Sequence, residues 1–246
     1  MNRPILVIGQ SHVAAIRAAA RTRREAAPDR PRTRVIHSLE PRYAPEVAAE
    51  GEEGRFGPAL VAAIEDQIAR HRPLVASASG GNVHNAFALI RHPRPYDFLL
   101  SFEDGPALDA AAEPLTEALV RAALEKNLER DRLRLREIRR IAGPFIQLES
   151  PPPVADSAYI AERSEAYFQD RAIADLGVAP PALRYKIWRL HSHVIAGYCA
   201  KLGATFLRVP PDVQDAQGFL RIDHAGDATH GNEAYGEAVI RALEAL

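Results

Sequence analysis

Short, continuous apolar runs alternate with helix-period segments along nearly the whole chain, and this alternation limits the fold more than any other feature. Ile5 to Ile8 has no polar interruption, as expected of a strand buried on both faces. Ser11 to Arg24, rich in Ala and Arg, predicts a helix, and Arg34 to Leu39 a second strand. Tyr43 to Gly57 reads as a loop with acidic residues and three glycines. Pro58 to His71 places Leu60, Ala63, Ile64 and Ile68 at helical spacing. Leu74 to Ser79 is the third strand, Ala86 to Ile90 a short helix, and Phe98 to Leu100 a candidate fourth strand. Pro114 to Ile141 predicts a long charged helix broken near Asp131, followed by a strand over Phe145 to Leu148. Ala182 to Leu202 predicts a helix, Thr205 to Val209 a strand and Asn232 to Leu246 a last helix. Such alternation implies an open, mainly parallel sheet with helices on both faces.

A chain of 246 residues, 47% hydrophobic, suffices for one sizeable core, so one domain over 1–246 is expected. The segments 107–141 and 151–182 exceed what a minimal fold of this class needs and are read as insertions. They are candidates to cap a pocket or make a subunit contact, with Tyr159, Tyr167 and Phe168 available to line it. A net charge of −1 gives no reason to expect a nucleic-acid or membrane partner. The single cysteine, Cys199, excludes an internal disulfide framework and a cysteine-based zinc site. The N-terminal apolar run stops at Gly9, short of the roughly 7–15 residues of a signal peptide core. A cytoplasmic, soluble protein is therefore expected.

Ligands of open α/β sheets gather beyond the carboxyl ends of the strands. Ser11, Asn82 and Pro151 to Pro153 would all lie at that edge. Three loops carry the candidate chemistry. Gly9-Gln10-Ser11-His12 follows the first strand, Gly80-Gly81-Asn82 the third, and Asp227-Ala228-Thr229-His230 precedes the last helix. The first lacks two glycines of the dinucleotide fingerprint and has no Walker lysine. Ser11 is open to two readings, a nucleophile or a cap for the next helix. Asn82 is either an amide donor to a developing oxyanion or the cap of a turn. Asp227 and His230, three apart, suit a carboxylate-oriented general base. A helix cap with a surface histidine is the plain alternative, and His224, Asp227 and His230 also have a spacing open to a metal. His191 and His193 face different sides of a helix and read as packing or surface residues. The basic run Arg130 to Arg140, interleaved with acids, reads as a solvated face. Trp188 and Tyr185 read as core or lid residues.

In order and context these loops resemble the sequence blocks of the SGNH hydrolases, the GDSL-like esterases and lipases. The serine block appears as Gly9-Gln10-Ser11-His12, the Gly-x-Asn-Asp block as Gly80-Gly81-Asn82-Val83, and the Asp-x-x-His block as Asp227-Ala228-Thr229-His230. Gln10 and Val83 stand where the family has aspartates. The resemblance implies a three-layer α/β/α sandwich of flavodoxin-like type. It implies a serine esterase or deacylase acting on a small ester, acylated carbohydrates included, with Ser11 as nucleophile, His230 as base and Asp227 as its orienting carboxylate. It also implies an oxyanion hole from the Ser11 and Gly54 N–H groups and the Asn82 amide, with Gly57 competing for the place of Gly54. His12 and Gly81 are expected beside the substrate. No cofactor and no metal are implied. Transfer of the acyl group to a sugar, or a non-catalytic binding domain, are the alternative readings.

Overall fold

Five parallel strands form the central sheet: β1 (Ile5–Gly9), β2 (Thr33–His37), β3 (Leu74–Ala78), β4 (Ile146–Leu148) and β5 (Thr205–Leu207), in the order β2-β1-β3-β4-β5. This computed structural model describes residues 3–48, 54–164, 168 and 173–246. The helices that matter below are α1 (Val13–Ala26), α2 (Pro58–His71), α3 (Val83–Ala88), α4 (Glu117–Asn127), α5 (Glu129–Ala142), α6 (Ser157–Arg163), α7 (Pro181–Leu202) and α8 (Glu233–Glu244).

The layers follow from the two-residue period of β1. Ile5 and Val7 face one way, into a core with Ile16 and Ala19 of α1 and Val239, Ile240 and Leu243 of α8. Leu6 and Ile8 face the other way, onto Leu60 and Ile64 of α2, Leu135 and Ile138 of α5, and Val194 and Ile195 of α7. Both faces of the strand are therefore covered, which is why its sequence is unbroken by polar residues. The result is the three-layer α/β/α sandwich with a parallel sheet in flavodoxin-like order. Among the described residues, no helix is long and apolar enough to cross a membrane.

Four expectations need correction. Phe98 to Leu100 is not a strand of the sheet. Tyr96–Asp97 pairs with Glu113–Pro114 in a separate two-stranded element, Phe98 is buried and Leu99 is exposed. What holds this stretch is the buried ion pair from Lys186 Nζ to Asp97 Oδ2, at 2.7 Å. The break in the long charged segment falls at Leu128, a fully buried residue, rather than at Asp131. The Tyr43–Gly57 loop contains an antiparallel pair, Val47–Ala48 with Arg55–Phe56.

The basic face of α5 is the fourth. Asp131, Arg134 and Glu137 are buried, because the loop after β2 brings them partners. Arg134 Nη2 donates to Glu46 Oε2 at 2.6 Å, and Glu137 Oε2 accepts from the Phe56 N–H at 3.2 Å. Of the two segments read as insertions, the first supplies α4, packed on α3 and α7, and α5, packed on α2 and α7. In the second, Asp156 caps α6 by accepting from the Ala158 and Tyr159 N–H groups. Tyr159 is half-buried against the first core, Phe168 is buried, and Tyr167 lies outside the described residues.

Candidate active site

In this strand order the chain turns back between β1 and β3, and the loops after these two strands flank the crevice that open α/β sheets use for ligands. They are the Ser11 turn and the Gly80-Gly81-Asn82 turn. At the first, the Gln10 and Ser11 carbonyls accept from the Val13 and Ala14 N–H groups at 3.1 and 3.0 Å. The N-cap of α1 is His12, with no side-chain capping bond. Ser11 is thus no helix cap. Its side chain is partly exposed and makes no hydrogen bond among the described residues.

Asp227 and His230 form a pair. The carboxylate oxygens lie 3.0 and 3.1 Å from His230 Nδ1, and Thr229 Oγ1 lies 3.0 Å from the same nitrogen. Asp227 Oδ1 also accepts from the N–H groups of Thr229 and His230, each at 2.8 Å. Burial disfavours the ionised carboxylate, but the imidazole and these two N–H groups outweigh it and hold its pKa at about 2. A carboxylate bonded to Nδ1 fixes the tautomer and leaves Nε2 for proton transfer. The last helix does not need Asp227: Asn232 caps α8 by accepting from the Tyr235 N–H at 3.2 Å. His224 turns to Asp223 instead, at 3.0 Å.

His12 connects the two loops. Its ring centroid is 4.7 Å from that of His230, and a Cβ placed on Gly81 would overlap the His12 ring. Glycine at 81 is therefore what lets the imidazole in. His12 is 6% exposed and Gly81 is buried, so the two residues expected beside the substrate lie behind the surface. Burial, with the neighbouring His230, lowers the pKa of His12 to about 3 and keeps it neutral. Two further buried histidines support the second turn. His191 Nε2 lies 2.9 Å from the Gly80 carbonyl, and the His84 ring is 5.2 Å from that of His191. His193, two residues on, stacks at the surface on Phe102.

Asn82 begins α3 without capping it. Its Oδ1 accepts from Asn85 Nδ2 at 2.7 Å, so the oxygen is engaged and the NH2 is the end of the amide that can still donate. Gly54 has φ +61°, a conformation that favours glycine, and a Cβ there would meet Leu133 Cδ1 at 2.9 Å. The Gly57 N–H donates to the Glu46 carbonyl at 2.9 Å.

A charged cluster lies under these turns. Glu46 accepts from Ser38 Oγ at 2.6 Å and from Arg134, and Arg134 Nη1 donates to Asp131 Oδ1 at 2.7 Å. A Cβ on Gly80 would stand 3.2 Å from Asp131 Cγ. Gln10 ties the Ser11 turn to the cluster in either amide orientation. Its oxygen meets the Gly80 N–H at 3.3 Å or, turned over, Arg134 Nη2 at 2.9 Å. In the first orientation the Gln10 NH2 faces the Arg134 guanidinium, donor against donor, which favours the second. Val83 is half-buried against the apolar cores. Asn85, Thr229, His191 and the Glu46–Arg134 pair escaped sequence reasoning. Only Asn85, three residues after Asn82 on a helix, and Thr229, inside the Asp-x-x-His block, had a local signal.

No protein-family model matches the chain, and no curated protein matches it in sequence. Solved structures do. The periplasmic domain of a lipopolysaccharide acetyltransferase from Salmonella ser. Paratyphi A aligns at 13% identity over 99% of this chain and 82% of its own, with TM-score 0.48. The aryl esterase of M. smegmatis aligns at 13% identity over 99% and 97%, with TM-score 0.45. A carbohydrate acetylesterase from Sinorhizobium meliloti aligns at 12% identity over 99% and 97%, with TM-score 0.41. The chain's own strand order is that of a flavodoxin-like three-layer α/β/α sandwich, with the serine, glycine–asparagine and aspartate–histidine loops following β1, β3 and β5 at the carboxyl-end rim of the sheet.

Proposed function

We propose that the protein is a serine esterase or deacylase that forms an acyl-enzyme on Ser11. His230 Nε2 takes the Ser11 hydroxyl proton as Oγ attacks the ester carbonyl, and returns it to the leaving alcohol. Water activated by the same nitrogen then releases the acid. Asp227 holds the imidazole in its tautomer. The Ser11 and Gly54 N–H groups and the Asn82 NH2 receive the oxyanion, where one donor is worth roughly 10²–10³ in rate. The supporting observation is the Asp227–His230 pair at 3.0 Å, with the His230 ring 4.7 Å from that of His12, the residue next to Ser11. Serine–base bonds are often loose in free enzymes and tighten with substrate, so the unbonded Ser11 hydroxyl fits this reading.

The substrate proposed is a small ester, acylated carbohydrates included. Release of acid from p-nitrophenyl acetate and from an acetylated sugar, with and without a carbohydrate acceptor, tests it. Turnover in wild type and its loss in Ser11→Ala is the expected result. Product appearing only as acylated acceptor would make the protein an acyltransferase, and turnover in neither assay would leave a binding domain.

A further inference from the structure

The outer edge of β2 lies in a strongly basic groove that none of the proposed catalytic residues lines. Seven arginines fall between residues 17 and 34. Strand β2 ends the sheet, and a groove of about 530 Å³ runs along its free edge between α1 and α2, lined by seven successive residues, Arg30 to Ile36. Some of the charge is matched. Arg17 and Arg42 share Glu40, and Arg23 holds Glu237 and Glu244. Arg21, Arg24, Arg30, Arg32 and Arg34 line the same groove and make no ion pair among the described residues. Burial and the nearby Arg32 push the Arg34 guanidinium pKa down, as expected of crowded, unmatched positive charge.

The backbone adds a second, independent feature. Ile5 N–H donates to the Arg32 carbonyl, and the Ser38 N–H to the Gly9 carbonyl. With the register Ile5↔Thr33, this phase turns Arg34 and Ile36 toward β1 and leaves the N–H and C=O of Thr33 and Val35 facing the open edge. A row of unpaired main-chain groups is a template for another strand.

We infer that this edge binds an extended acidic segment of a partner protein, which adds to the sheet beside β2 while its carboxylates pair with the free arginines. An extended peptide satisfies both features: its main chain bonds to Thr33 and Val35, and side chains alternating to its two faces reach Arg32 and Arg34 on the α2 side and Arg21 and Arg24 on the α1 side. A phosphate or a nucleic acid would use the guanidiniums alone. A second copy of this chain is disfavoured, because two-fold pairing of the β2 edges would bring both sets of unmatched arginines together.

The test is fluorescence anisotropy at low salt with a fluorescein-labelled octapeptide of alternating Glu and Val. Controls are the Gln-for-Glu peptide, the same acidic peptide N-methylated at alternate residues, and a single-stranded oligo-dT of matched charge. The expected result is saturable binding of the acidic peptide, about tenfold weaker after N-methylation, the loss of one to two strand hydrogen bonds. Binding should be weaker again in Arg32→Glu/Arg34→Glu and in Val35→Pro, which removes an outward N–H without touching the ladder. Absence of binding, equal binding of oligo-dT, or indifference to N-methylation would overturn strand addition. The N-methylated peptide decides the matter in wild type, whatever the fate of the proline variant. Ester turnover plays no part in the readout, so this claim and the proposed activity fail separately.

Discussion

The rings of His12 and His230 lie 4.7 Å apart, and His12 in turn lies on the Cα of Gly81. One buried, neutral imidazole thus links the loop that carries the proposed base to the turn that carries Asn82. In Gly81→Ala the new Cβ has nowhere to go but into the His12 ring. We expect a loss of about 1–3 kcal/mol in stability, the usual cost of overpacking, with reduced ester turnover. Adding His12→Ala should restore part of the stability by opening space. Denaturant melts of the two single variants and the double variant check this. Strictly additive losses would sink the contact.

Asp227→Asn should lower kcat by about 10⁴, the loss typical when the orienting carboxylate of a triad becomes an amide. KM should change little, since Asp227 faces the base rather than the rim. Steady-state kinetics on p-nitrophenyl acetate decide it. An unchanged kcat would remove Asp227 from the mechanism. With its pKa at about 2, Asp227 stays ionised at ordinary pH and should put no limb on the pH–rate profile above pH 4.

Arg134→Leu should be severe, although the residue touches no substrate. It leaves Glu46 and Asp131 buried without their cation, a defect typically worth about 3–5 kcal/mol. Because Gln10 and Gly80 lie against the same cluster, activity should fall more than the folded fraction does. A loss under about 1 kcal/mol by urea denaturation would show the cluster to be solvated.

Acid should destabilise the fold well above the carboxylate range. His12, His84 and His191 are buried with pKa values lowered, to about 3 for His12 and about 4 for His191, chiefly by burial. The folded state then stays unprotonated at these sites while the unfolded chain takes protons below about pH 6.5. Unfolded binds more protons than folded, so stability rises with pH in this window and falls as pH drops from about 6.5 toward 4. At pH 5 unfolding should take up about three protons from these residues. Calorimetry in buffers of different ionisation enthalpy measures the uptake, and His84→Phe should reduce it by about one.

The sheet was legible from sequence because its central strands are buried on both faces and leave short apolar runs, unbroken at Ile5–Ile8 and interrupted only by Ser77 at Leu74–Ala78. The Asp227–His230 contact was legible because three residues separate the partners. What stayed hidden depends on distant pairing. Asp131, Arg134 and Glu137 have the composition of a solvated face and are buried only because Glu46 and Phe56, some eighty to ninety residues earlier, come to meet them. Phe98 to Leu100 misled for the reverse reason: three apolar residues suggest a strand, but Asp97 is anchored by Lys186 on α7. His191 looked idle until the fold set it 2.9 Å from the Gly80 carbonyl.

The central claim is that Ser11 is a nucleophile activated by His230. Covalent labelling with a fluorophosphonate, mapped by peptide mass spectrometry, tests it most directly. The account predicts one adduct, on the Ser11 peptide of the wild-type protein. It should be absent in Ser11→Ala and strongly slowed in His230→Ala, while circular dichroism confirms that both variants are folded. A wild-type protein that stays unlabelled while a control esterase reacts, or an adduct that persists in Ser11→Ala, would contradict it.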